Sequence, residues 1–281
     1  MAFLLHFCAM SFVCYNGEMF DEKQPLLTLQ NNSFKYGEGL FETMRVTDGV
    51  APLAALHFER LQLGLKWLQL HLPLVISTEV LLEQIYLLCR QNNCSKAARV
   101  RLSVFRENIF AGYAIEALPL QQNYLHWNQE GLSINVYPHA KKAMDVFSNL
   151  KTANHLPYLL AAQYATEKKV DDCLVRNSEN AICDSTKANV FLIKGHEMFT
   201  PALHQGCIAG VMRGALIDAL KKTGCHVQQK IILDEDVANA DEVFLTNALY
   251  GIRWVRQFET TLYTYRRTRI IFDEMMPTIF P

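Results

Sequence analysis

The sequence has no excess of charge of either sign. Its 27 basic and 28 acidic residues leave a formal net charge of −1, so it lacks the basic stripe of a nucleic-acid binder. It also lacks metal-ligand spacing. Nine histidines are scattered with no HExxH, and none of the eight cysteines forms a CxxC pair. A metal site therefore has no support. A chain of 281 residues needs no disulfide staples, so reduced cytoplasmic thiols are the expectation. No apolar run is long enough to span a bilayer. Residues Met1 to Met10 are apolar, but they have no basic start and no small-x-small cleavage site. They read as an extension or a first strand, with export as the lesser alternative. No internal repeat is present.

Half the residues are hydrophobic, enough for one large domain or two modest ones. Strands are expected at Phe12–Tyr15, ahead of an Asn16-Gly17 turn, at Leu40–Thr47, and at Ala98–Phe105 with its alternating face. Helices are expected at Ala54–Leu70 and Thr78–Asn92. A polar, turn-prone stretch over Gln121–Gly131 marks a boundary, giving a smaller N-terminal domain, 1–126, and a larger C-terminal one, 127–281. The second half offers a strand at Leu132–Tyr137 and a helix at Leu156–Lys169 with Leu159, Leu160, Ala161 and Tyr164 on one side. Further strands fall at Asn189–Ile193, Met198–Thr200 and Glu242–Leu245, a helix at Gly210–Lys222, and a loop at Thr246-Asn247-Ala248. The class is α/β, or α+β in two domains, with a cleft between them.

Chemistry is concentrated at a few positions. Lys151 precedes a helix among the small residues Thr152, Ala153 and Asn154, with apolar sequence from Leu156 that would lower an amine's pKa. Asp184 follows 33 residues later, in a strand-rich hairpin where an unpaired charge is costly. An amine that forms an imine with an aldehyde, and an acid that holds a proton on a pyridine nitrogen, together point to pyridoxal 5'-phosphate (PLP). Gly206 to Arg213 places glycines ahead of a helix whose N-terminus favours phosphate. Arg60 offers a forked guanidinium.

Seven segments, in order, carry a family resemblance. They are Tyr36-Gly37-Glu38-Gly39-Leu40-Phe41-Glu42-Thr43-Met44-Arg45-Val46, His57-Phe58-Glu59-Arg60-Leu61, Lys151-Thr152-Ala153-Asn154, Asp184 to Phe191, Thr200-Pro201, Gly206 to Arg213, and Thr246 to Ile252. The chain resembles the class IV aminotransferases, fold-type IV PLP enzymes with a small N-terminal and a larger C-terminal domain and the active site between them. The resemblance implies Lys151 as Schiff-base lysine and proton shuttle. It implies Arg60, the backbone of Val211 and Met212, and the Asn247-Ala248 loop as phosphate holders, and Ile208 against a ring face. His155 stands near a position where relatives often have Tyr; it either donates to the cofactor's phenolic oxygen or faces solvent. Asp184 stands where the family usually has Glu, one methylene shorter by about 1.5 Å.

Similarity of the Thr246 to Arg253 loop, and of Thr43, favours the 4-amino-4-deoxychorismate lyases of folate biosynthesis. Branched-chain or D-amino acid transaminases, and a non-catalytic ligand-binding relative, are the alternatives. Trp254 in place of a proline, and the lack of a glycine-rich stretch over Arg101–Phe110, count against the lyase. Tyr36, Arg101 and Arg106 are candidate substrate contacts, with strand alternation putting Arg106 opposite Arg99 and Arg101. A small amino substrate, a homodimer, and no membrane or nucleic-acid partner complete the expectation.

Overall fold

The Asn16-Gly17 turn folds Phe12–Tyr15 (β1) back onto Glu18–Asp21 (β2), with both turn residues at positive φ, as such turns require. These strands edge a five-stranded antiparallel sheet in the order β2-β1-β5-β4-β3. A short helix, Asn32–Tyr36 (α1), leads into the long strand Gly39–Thr47 (β3). Helices Ala54–Trp67 (α2) and Thr78–Gln91 (α3) follow, then strands Ala97–Arg106 (β4) and Ala111–Pro119 (β5). The computed structural model describes residues 11–107, 110–121 and 126–281. The expectation for residues 1–10, and part of the expected boundary stretch, lie outside the described residues.

Side-chain alternation along β3 and β4 separates two faces. Leu40, Met44, Val46, Val100, Leu102 and Val104 pack with Phe58, Leu61, Ile85 and Leu88 of the two helices in one apolar core. The opposite face carries Phe41, Thr43 and Arg45, with Arg101 opposite Thr43 in the β3–β4 register. The helix expected to run to Leu70 stops at Trp67.

The second sheet is mixed, ordered β11-β10-β9-β12-β13-β6-β7-β8, with β14 added at β13. Its elements are Leu132–Lys142 (β6), Leu156–Lys168 (α4), Asp172–Asn177 (β7), Ile182–Ser185 (β8), Asn189–Lys194 (β9) and Glu197–Pro201 (β10). Val211–Lys222 (α5), Val227–Lys230 (β11), Asp234–Ala238 (α6), Glu242–Asn247 (β12), Gly251–Phe258 (β13), Thr261–Leu262 (β14) and Arg266–Ile279 (α7) complete it. Both faces are covered. Val190 and Leu192 of β9 join one core, while Phe191 and Ile193 join another with α5 and α7. That double burial explains why β9 is apolar throughout rather than alternating.

Two expectations are corrected. Thr246 and Asn247 close β12 as strand residues, because both pair with neighbouring strands. On α4 the leucines do not face the core. Tyr158, Ala161 and Ala165 are buried, while Leu156 is 63% and Leu159 58% exposed. The sheets occupy residues 12–119 and 132–262, and we propose 126/127 as the domain boundary between them.

Candidate active site

The segment ahead of α4 is hydrogen-bonded to β3. Phe41 N–H donates to the Lys151 carbonyl and Ala153 N–H to the Gly39 carbonyl, both at 2.9 Å, around a Leu40–Thr152 bridge. Lys151 is therefore fixed by a strand of the first sheet, five residues before its helix begins. Its Nζ lies 4.4 Å from the Phe41 ring centroid, and the Arg101 guanidinium lies 3.8 Å from that ring. His155 meets Phe41 edge-on at 5.0 Å and tilts against Tyr158 at 4.6 Å. Burial and the Arg60 charge lower the Lys151 pKa to about 7, against the pull of Glu42 and Asp184. A large fraction of the amine is then neutral, and so nucleophilic, near neutral pH. Burial, with Lys151, Lys142 and Arg101 nearby, takes His155 down to about 3, so the half-buried ring packed against Phe41 and Tyr158 is neutral.

One side of this junction is held by Glu42, which points from β3 toward α2. His57 and Arg60 are three residues apart, on one helix face. His57 Nδ1 is 2.7 Å from Glu42 Oε2, and Arg60 Nε donates to Oε1 at 2.8 Å with its NH2 group on Oε2. Arg60 also donates to the Ala209 carbonyl at 2.9 Å, which ties the two sheets' domains together. These bonds use three of the five N–H groups a guanidinium carries. Burial alone would raise Glu42, but Arg60 and His57 outweigh it and hold the carboxyl at about 2.

The other side is Asp184, 2% exposed on β8. Its carboxylate is not unpaired. Oδ2 accepts from the Tyr158 hydroxyl at 2.7 Å, from Ile208 N–H at 3.0 Å and from Lys142 Nζ at 3.3 Å. Oδ1 accepts from Asn189 Nδ2 at 2.9 Å. Burial still raises its pKa, with Lys142 the strongest opposing influence.

Between these clusters, α5 opens at Gly210 with no side-chain cap, leaving Val211 and Met212 at a helix N-terminus where an anion is favoured. Gly210 has no room for a side chain, since a Cβ there would stand 1.7 Å from Asn189 Oδ1. Asn189 also donates to the Ile208 carbonyl at 2.9 Å, so it fixes this turn and Asp184 together. The Thr246 hydroxyl is buried without a hydrogen-bond partner among the described residues. Asn247 accepts from the Leu249 and Tyr250 N–H groups of its own turn at 3.0 and 3.1 Å and donates to the Lys187 carbonyl at 3.2 Å. Ala248 is buried beside it.

Two candidates lie apart. Arg106 pairs with Glu38 and donates to the Leu68 and Gln69 carbonyls, on the α2 side of the sheet as its register requires. Tyr36 ends α1 with 71% of its surface exposed. Trp254 anchors the connection between the sheets, its Nε1 donating to the Asn128 carbonyl at 2.7 Å. Sequence reasoning missed Glu42, His57, Lys142, Tyr158 and Asn189 as individual site residues. The only available signal was the His57/Arg60 spacing opposite an acid on β3.

The fold is that of solved aminotransferases. A branched-chain aminotransferase from Thermoproteus uzoniensis, solved with norvaline, superposes with a TM-score of 0.84 at 23% identity, over 96% of this chain and 93% of that one. The PLP-bound form of a hypothetical aminotransferase from Mycobacterium tuberculosis gives 0.83 at 16% identity, over 96% and 98%. The family described as Amino-transferase class IV matches residues 39–258, and the chain belongs to that family. Among curated relatives, the aminodeoxychorismate lyase of Vibrio harveyi is 26% identical over 239 residues, 82% of this chain and 86% of the relative. The branched-chain-amino-acid aminotransferase of Escherichia coli is 25% identical over 279 residues, 88% and 85% of the two chains.

Proposed function

We propose that the protein is a PLP-dependent enzyme that converts 4-amino-4-deoxychorismate to 4-aminobenzoate and pyruvate. The observation that carries the PLP reading is Lys151, fixed against β3 by backbone hydrogen bonds and close enough to both the Arg60 guanidinium and the buried Asp184 for their charges to act on its amine, whose pKa burial lowers. The residues suit the cofactor on three counts. Among the described residues, Thr246 has a buried hydroxyl with no partner, α5 has an N-terminus without a side-chain cap, and Arg60 has donors beyond those it uses. Bound PLP would supply an electron-withdrawing ring that stabilises negative charge at the substrate α-carbon.

The chain's own residues do the rest. Lys151 would be the residue that holds the cofactor covalently, and its free amine is the base placed to take a proton from the substrate α-carbon. Arg60, Val211 N–H, Met212 N–H and the Asn247-Ala248 backbone would hold the phosphate, Ile208 would cover a ring face, and Asp184 would hold the proton on the ring nitrogen. Thr43 and Arg101, paired across β3 and β4, face the substrate, with Arg101 taking a carboxylate. His155 packs at the rim; lacking a charge, it serves as a neutral hydrogen-bonding group. Departure of enolpyruvate leaves an aromatic ring, which drives the lyase branch without further machinery.

The lyases of Vibrio harveyi and Bacillus subtilis, each 26% identical, support this branch. Branched-chain transamination is the second reading, favoured by relatives of similar identity such as that of Escherichia coli. The assay is 4-aminobenzoate formation with no oxo acid added. Product only from an ordinary amino acid plus a 2-oxo acid acceptor would overturn the lyase reading.

We also propose a homodimer in the cytoplasm. The dimer is supported by exposed apolar residues on α1 and α4, Phe34, Tyr36, Leu156 and Leu159, and is checked by light scattering. The cytoplasm is supported by seven free cysteines among the described residues, six of them buried. No helix among the described residues is long and apolar enough to cross a membrane.

A further inference from the structure

Asp184 has an unusual neighbour. Lys142, the last residue of β6, is 11% exposed and reaches back between two acceptors. Its Nζ donates to the Ser148 carbonyl at 2.7 Å and to Asp184 Oδ2 at 3.3 Å, and stands 5.4 Å from the Tyr158 ring. The Ser148 bond fixes the ammonium through the turn that leads to Lys151. That turn is itself closed by the Ser148 hydroxyl, which donates to the Ala143 carbonyl at 2.8 Å. Neither Lys142 nor Ser148 belongs to the segments that carry the family resemblance.

We propose that Lys142 is a positioning residue that acts through Asp184 to keep the proton on the cofactor's ring nitrogen. The inference rests on the PLP reading and adds a residue to it. A buried carboxyl facing a pyridine can share one proton in two ways. It can be a neutral acid against a neutral ring, or a carboxylate against a pyridinium. Burial favours the neutral pair, because charged groups lose hydration. A fixed ammonium changes that balance. It touches Oδ2, whereas a further donor must go to Oδ1, since Oδ2 already takes three. Coulomb energy falls with distance. The ammonium's attraction for the carboxylate at 3.3 Å therefore exceeds its repulsion of a proton on the far side of that carboxylate. The charged pair wins, and the ring keeps its power to withdraw electrons. The same cation offsets the shorter reach of Asp where the family usually has Glu, by holding the carboxylate in its ionised form.

The test is the nitrogen-15 resonance of PLP labelled at the ring nitrogen and bound to the intact protein. The wild type should show a protonated ring. Lys142→Met should move the resonance toward the neutral pyridine position, and kcat should fall on the order of tenfold with KM little changed. Lys142→Gln, which keeps a donor for the Ser148 carbonyl, should give the same shift and serves if the Met variant fails to fold. Lys142→Arg should restore the protonated position. In an Asp184→Asn background the Lys142 substitutions should produce no further shift. A Lys142→Met or Lys142→Gln protein that binds PLP with its ring still fully protonated overturns the inference and leaves the PLP reading intact. A wild type that takes up no PLP removes the PLP reading, and this inference with it.

Discussion

Two buried acids flank Lys151, and they titrate in opposite directions. Glu42 is pushed down to about 2, whereas Asp184 is pushed up. Both are almost fully buried and both have a cationic partner. The difference is in the donors. Glu42 receives a forked guanidinium and an imidazole, so both its oxygens meet strong, well-directed donors. Asp184 receives one ammonium at 3.3 Å, and its other donors are neutral: a phenol, an amide and a backbone N–H. The first arrangement overcomes desolvation and locks a charge. The second offsets desolvation only in part, which leaves an acid whose charge is completed by a partner such as a protonated ring. A charge that only braces Arg60 needs no adjustability. A charge that must share a proton with a ring does.

Breaking the link between the two ends has the largest effect. Lys151→Ala should leave less than about one-thousandth of the activity, measured as 4-aminobenzoate release, with urea unfolding little changed. Next is Glu42→Gln, which strips Arg60 and His57 of their anion. Losing one partner of a buried pair costs about 3–5 kcal/mol, read as a lower urea midpoint. Asp184→Asn should cost less, about 1–3 kcal/mol, because most of its donors are neutral groups that an amide oxygen can still satisfy. Equal losses would contradict the contrast between the two acids.

Stability against pH sharpens the same contrast at smaller amplitude. The folded pKa of Glu42 lies below its ordinary 4.5, so its contribution is full above that value and is lost as pH falls toward about 2. Asp184 has a raised folded pKa. Its folded form binds the proton more tightly than the unfolded chain does, so its share of stability declines as pH rises above 3.8. Substituting each acid in turn should flatten the profile on opposite sides of that region. Lys151 adds a kinetic version. Capture of PLP by the apoprotein should speed up as pH rises through about 7, because the neutral amine is the reacting form.

Much of this was legible along the chain. β3, α2, α3 and β4 follow from periodicity and turn chemistry, and Lys151, Arg60 and Asp184 follow from residue type joined to resemblance. The missed residues act across distance. Lys142 meets Asp184 from 42 positions away and Tyr158 from 26, and no local pattern marks such pairs. Glu42 sits where alternation predicts a core residue, and only the packed α2 shows why a charge is tolerated there. The α4 leucines misled because apolar spacing shows that a face is covered without saying by what. β13 and α7 went unread, the latter with Pro277 inside its last turn, a residue that ordinarily argues against helix.

The most direct test of the account fixes the cofactor chemically. PLP-loaded protein is reduced with borohydride, digested, and the modified peptide located by mass spectrometry. The account predicts one adduct, on Lys151. An adduct on the nearby Lys142, or none on either lysine, would contradict it.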